Sequence, residues 1–166
     1  VIPDTVRRWL ESAADSSRET AAPTIPFRNV IIGNNQTAVS AAAAEARRRG
    51  YQVGREATNE RGIARDVGVA MAEEFLGHCR EPHSGRGWCV ISGGEPVVQL
   101  VATDQPRRGG RNHELILAAA ARLWGEPPIR GAILSGGTDG EDGPTDAAGA
   151  WFDATVQARG HDLGIT

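Results

Sequence analysis

Three loops built on paired glycines hold the residues most able to do chemistry: SGGE at 92–95, RGGRNHE at 108–114 and SGGTDGEDGPTD at 135–146. The first and third leave apolar runs that read as strands, and the second leads into an apolar helix. Ligands of α/β sheets bind beyond the carboxyl ends of strands, where helix amino termini also point. Glycine lets backbone N–H groups come close to an anion, and a helix start adds unpaired N–H groups and a favourable dipole. The loops therefore suit a phosphorylated ligand. Candidate contacts are Gly93, Gly94 and Glu95 on the first, Gly109, Gly110, Asn112 and Glu114 on the second, and Gly136, Gly137, Thr138, Gly140 and Thr145 on the third.

In RGGRN, Arg111 can make a bidentate contact to phosphate oxygens, and Asn112 is placed to cap the helix that follows. A plain helix start with a solvated arginine accounts for the same spacing equally well. Nucleic-acid segments of RGG type are repeated and disordered, whereas this one is single and runs into an apolar helix, so no nucleic-acid partner is expected.

The stretch 136–150 gathers five glycines and four acids without one basic residue. Read as an EF-hand loop from Asp139, it fails at Glu141 and Gly143. Magnesium asks for less, only one or two carboxylates with ligand phosphates and water. Asp139, Asp142 and Asp146 are all candidates for it, and a solvated turn explains the same composition. A Walker A loop is impossible, because all 18 basic side chains are arginine and the chain has no lysine. There is no GxGxxG fingerprint. His78, Cys79, His83 and Cys89 match no zinc spacing, and Cys89 reads as a core residue. Asn34-Asn35 precedes a helix and suits a cap more than a ligand contact. Trp88, Trp124 and Trp151 read as packing.

These loops need a scaffold, and the chain alternates strand and helix patterns. A short helix over 4–13 is followed by a polar connection, 12–26. FRNVIIG and YQVGREA read as strands, TAVSAAAAEARRRG and ARDVGVAMAEEFLGHCR as helices, with Gly50 stopping the first. WCVIS and PVVQLVA flank SGGE as a hairpin or a bent strand pair. The helix HELILAAAARLW is apolar nearly all round and expected to be buried. The strand GAILSG follows, and AWFDATVQARG is ambiguous. The expected class is α/β, mainly parallel sheet segments with crossover helices. The polar stretch 81–87 suggests a boundary between two partial α/β domains, 1–84 and 85–166.

The totals agree with this class. At 166 residues, 40% hydrophobic and 23% charged with a net charge of −3, the composition is that of an ordinary globular protein. No apolar run approaches the roughly 20 residues of a membrane span, and the first residues lack a signal pattern. Two cysteines fall short of a disulfide scaffold. The expectation is a cytoplasmic protein with no membrane partner.

Taken together and in this order, SGGEPVVQL, GGRNHELILAAA and GGTDGEDGPTDAAGA resemble the glycerate 2-kinase family. Its members carry a carboxy-terminal MOFRL domain and are often labelled hydroxypyruvate reductase or tartrate-degradation proteins. The resemblance gives residues 1–84 as the end of that family's larger Rossmann-like domain and 85–166 as the first part of MOFRL. It implies ATP-dependent phosphorylation of D-glycerate, or a related hydroxy acid, to 2-phosphoglycerate, with magnesium and with Arg111 as the catalytic arginine. The family's lysine, in an upstream Gly-Lys-Ala motif, and its closing Gly-Pro-Thr-Gly-Thr-Asn motif are not in this sequence. His113 stands where relatives commonly have glutamine. The 166-residue chain alone is thus expected to be inactive. An NAD(P)-dependent hydroxypyruvate reductase and a non-catalytic binding module remain as alternatives.

Overall fold

The computed structural model describes residues 2–14, 28–81 and 85–165. These fall in two compact units, Val1–Ile32 and Gly33–Thr166. In the first, α1 spans Asp4–Ala14 and starts on Pro3, whose carbonyl accepts from the N–H groups of Val6 and Arg7. Pro3 has no N–H to satisfy, so its place at a helix start costs nothing. The strand expected over FRNVIIG is not formed: residues 28–34 have no ladder partner among the described residues, and Ile32 is 97% exposed. An apolar run becomes a strand only where another strand lies beside it. Phe27 and most of the predicted connection 12–26 lie outside the described residues.

The second unit is α/β. In order it contains α2 (Asn35–Arg48), β1 (Gln52–Glu60), α3 (Ala64–Arg80), β2 (Trp88–Gly94), α4 (Arg111–Leu123), β3 (Ala132–Gly136), β4 (Gly149–Asp153) and α5 (Ala154–Asp162). Strands β1 and β2 pair in parallel from Gln52↔Trp88 to Glu60↔Gly94, with α3 as their crossover. The boundary expected near residue 84 falls between these two hydrogen-bonded strands, inside the compact unit Gly33–Thr166. Strands β3 and β4 are antiparallel, from Ala132↔Asp153 to Gly136↔Gly149. The acid-rich stretch is therefore a hairpin connection.

PVVQLVA does not fold back on β2. Only Val97 pairs, in a parallel bridge with Ile63, its N–H donating to Gly62 O and its carbonyl accepting from Ala64. Pro96 removes a donor just after the last rung, where Glu95 N–H donates to Glu60 O, so the ladder cannot continue.

The core lies where α3 crosses α4 and where one face of β3–β4 covers α4. Ala64, Ala72 and Leu76 meet Leu115, Ile116, Ala119 and Leu123, joined by Ile129, Ile133 and Phe152. Small residues on α3 allow the close approach; a side chain at Gly68 would run into the Leu115 carbonyl. α4 is not buried all round, because Leu117 remains 69% exposed. On the far face of the hairpin, the cross-strand pair Leu134↔Trp151 is exposed, so Trp151 is no core residue. Trp124 does pack, with ring centroids 6.3 Å from Phe152. Trp88 lies against the ring of His78, centroids 3.4 Å apart.

Candidate functional site

The carboxyl ends of β1, β2 and β3 open on one cleft of about 1110 Å³, formed within the unit Gly33–Thr166. From β2 come Ser92, Gly93, Gly94 and Glu95; from β3 come Gly136, Gly137, Thr138 and Asp139; and the first turn of α4 adds Arg111 and Asn112. The three glycine-paired loops thus converge, as the sequence predicts.

A second wall was not legible as a site. It consists of the α2 start at Gly33–Thr37 and the β1 exit at Thr58–Arg61. Asn34 caps α2, accepting from Thr37 N–H at 2.9 Å. Asn35 Nδ2 donates to Thr58 O at 2.6 Å and so ties the helix start to the strand end. The rule that singled out the other strand exits also applies to TNERG after β1, and applying it there would have found Arg61.

Several predicted contacts belong to the scaffold instead. Gly109, Gly110, Glu114, Gly140 and Thr145 do not line the cleft. Glu114 accepts from Arg65 Nε at 3.0 Å. The Thr145 hydroxyl donates to Asp142 O at 3.0 Å, within its own loop. Gly93 and Gly94 do line the cleft, but their missing side chains serve packing: a Cβ there would meet Asn35 and the Glu60 backbone. Asn112 is not the cap of α4, since Gly110 holds that position and has no side chain to offer.

The capping group comes from 32 residues away. Asp142 is 3% exposed, and its carboxylate accepts from the N–H groups of Gly110 (3.1 Å), Asn112 (3.0 Å) and His113 (2.8 Å). Asn112 Nδ2 (3.0 Å) and the His113 ring Nδ1 (2.5 Å) complete the shell. Burial alone would raise this carboxyl, but the backbone and side-chain hydrogen bonds from Asn112 and His113 outweigh it and hold it down to about 2. Two predictions need correction here. Asp142 is no free metal ligand, because its lone pairs are taken. The N–H groups at the α4 start that were to bind phosphate already hold an anion. Asn112 in turn accepts from the Ser135 hydroxyl at 2.7 Å, linking the clamp to the end of β3.

Arg111 projects from the clamped turn. Its Nη1 lies 2.7 Å from Glu95 Oε1, and both side chains are largely exposed. That contact, with the fields of Asp139 and Asp142, raises the guanidinium above its ordinary value. Exposed pairs of this kind contribute about 0–1 kcal/mol, so a ligand anion can displace Glu95 at little cost. Arg61 makes no ion pair among the described residues and is the second cation of the cleft. Against these two stand four acids, Glu60, Glu95, Asp139 and Glu141.

The metal candidates separate. Asp139 lines the cleft and accepts from Glu141 N–H at 3.3 Å; Asp142 is occupied; Asp146 is exposed and outside the lining. Among the described residues no group of three His, Cys, Asp or Glu side chains could hold a metal ion. His83 lies outside the described residues.

With this geometry in view, residues 88–166 match the MOFRL family. The chain is 49% identical over 84 residues to the human protein named glycerate kinase, covering 49% of this chain and 16% of that one. To the glycerate 2-kinase of Pyrococcus horikoshii it is 30% identical, over 99% of this chain and 37% of the relative. A crystal structure titled glycerate kinase from Thermotoga maritima superposes with a TM-score of 0.72 and 30% identity, covering 95% of this chain and 39% of that one. Residues 88–166 belong to the MOFRL family, and the chain as a whole is similar to glycerate kinases. It spans well under half the length of these relatives. No helix among its described residues is long and apolar enough to cross a membrane.

Proposed function

We propose that this chain supplies part of the active site of a glycerate kinase, which transfers the terminal phosphoryl group of ATP to D-glycerate and releases 2-phosphoglycerate. The observation that carries the reading is one cleft shared by Arg111, Asp139 and the strand exits Ser92–Glu95 and Gly136–Thr138. Kinase relatives covering nearly the whole chain support it.

Phosphoryl transfer asks a protein for position and charge more than for covalent chemistry. Arg111 would leave Glu95 and brace the oxygens of the transferring group. Asn112, fixed by Asp142 and Ser135, holds its turn of helix in place beside it. Magnesium fits the donor chemistry of this cleft: Glu60 is paired with Arg55 at 2.8 Å, and the two lining arginines still face three other acids, Glu95, Asp139 and Glu141, so the cleft is net negative toward a polyphosphate. Asp139 and Glu141, both lining the cleft, would hold the ion, which when bound would neutralise phosphate oxygens. The domain assignment, 1–84 as the end of a larger Rossmann-like domain and 85–166 as the start of MOFRL, is part of the same proposal.

The test is calorimetric titration of magnesium-ATP into the full-length gene product, wild type and Arg111→Ala. The expected result is at least a tenfold weaker Kd in the variant; equal binding removes Arg111 from the phosphate site. Phosphorus NMR of the product formed from D-glycerate distinguishes the 2- from the 3-phosphate.

A further inference from the structure

The clamp at the start of α4 joins the two loops that bring opposite charges to the cleft. Asp142 holds Gly110 N–H on one side of Arg111 and the N–H groups of Asn112 and His113 on the other. Three residues earlier in the same hairpin connection, Asp139 lines the cleft. The two backbones touch: a Cβ at Gly110 would stand 2.5 Å from Asp142 Oδ1 and 2.8 Å from Gly143 N. Gly143 has φ +65°, a conformation that side chains disfavour, and a Cβ there would also strike Gly109 O. No slack is left between the loops.

We propose that Asp142 is a positioning residue for ligand binding. It touches neither ligand nor metal, and it acts by fixing the turn that carries Arg111 against the loop that carries Asp139. A carboxylate with five donors on it has no lone pair left for an ion. It also has little freedom to move, so the direction of Arg111 is set from outside its own helix. The inference rests on the reading of Arg111 as a phosphate contact.

A double-mutant cycle tests it. Magnesium-ATP affinity is measured by calorimetry on the full-length protein, well below the unfolding midpoint, for Asp142→Asn, Arg111→Ala and the pair. Asp142→Asn is expected to weaken binding about tenfold, while the pair binds no worse than Arg111→Ala alone. Losses that multiply, or wild-type affinity in Asp142→Asn, overturn the proposal and leave the phosphate reading standing. Wild-type affinity in Arg111→Ala overturns both. Should Asp142→Asn not fold, Gly110→Ala serves in the same cycle, since it pushes the loops apart and keeps the carboxylate. The same non-multiplying pattern is expected from it, and multiplying losses count against the proposal.

Discussion

Replacing Asp142 by asparagine should cost stability in a way that depends on pH. The carboxyl sits at about 2 in the folded chain against an ordinary 3.8, a difference worth about 2.5 kcal/mol at neutral pH. A depressed folded value means the contribution is complete above the unfolded value and fades as pH falls through the folded one. It should stand near 2.5 kcal/mol at pH 7, about 1.3 kcal/mol at pH 3, and fall below that at pH 2. Asparagine also turns its NH2 donor either toward the Asn112 N–H held by Oδ1 or toward the Gly110 and His113 N–H groups held by Oδ2, adding a loss that does not vary with pH. The diagnostic quantity is therefore the narrowing of the gap between wild type and variant, not its size. Urea unfolding of both proteins at pH 7, 4, 3 and 2 measures it. In thermal melts at pH 7 the ionic contribution alone should lower the midpoint temperature by roughly 5–10 °C, taking about 2–4 °C per kcal/mol for a chain of this length. A gap that stays constant from pH 4 to pH 2 would refute the claim that the N–H groups of the α4 start stabilise the ionised form.

The same substitution at two positions of α3 should have opposite signs. Gly68→Ala drives a Cβ into the Leu115 carbonyl and should destabilise by about 1–3 kcal/mol, whereas Gly77, with nothing within 4 Å, should gain about 0.5–1 kcal/mol from helix propensity. Thermal melts of the two variants decide it, and equal shifts would contradict the α3–α4 crossing. Leu123→Ala, at a fully buried position, should cost about 2–5 kcal/mol, and a loss below 1 kcal/mol in urea unfolding would place Leu123 outside the core.

Periodicity and punctuation made most of the elements legible. The helix pattern ARDVGVAMAEEFLGHCR coincides with α3, Ala64–Arg80, and YQVGREA and GAILSG overlap β1 and β3. What failed did so through partners. FRNVIIG has the apolar run of a strand, but no ladder forms beside it among the described residues. The antiparallel return of β4 could not be read, because AWFDATVQARG changes from strand to helix at Asp153, whose side chain caps α5 by accepting from Val156 N–H. The convergence of the glycine loops followed from two of them leaving strands and the third opening a helix. The division of labour among the acids did not, since Asp139 and Asp142 differ only in which way the hairpin turns each one.

The same long-range logic governs α4, the helix that carries the proposed phosphate contact. Its start is capped by Asp142, and beyond its end the buried Gln157 donates to the carbonyls of Leu123, Trp124 and Glu126. Neither group is near α4 in sequence, yet between them they satisfy backbone groups at both ends of the helix that no residue of α4 could reach. Both lie inside residues 88–166, the span that matches the MOFRL family, so that span contains all it needs to hold Arg111. It does not contain the opposite wall. Asn34, Asn35, Thr58 and Arg61 come from residues before it, and the parallel pairing of β1 with β2 is what brings that wall to the cleft. A MOFRL segment cut at Trp88 would keep its clamp and lose one wall of its cleft, because β2 would be left without β1, at whose exit Arg61 lies. Phosphate affinity should then fall even though Arg111 remains in its place.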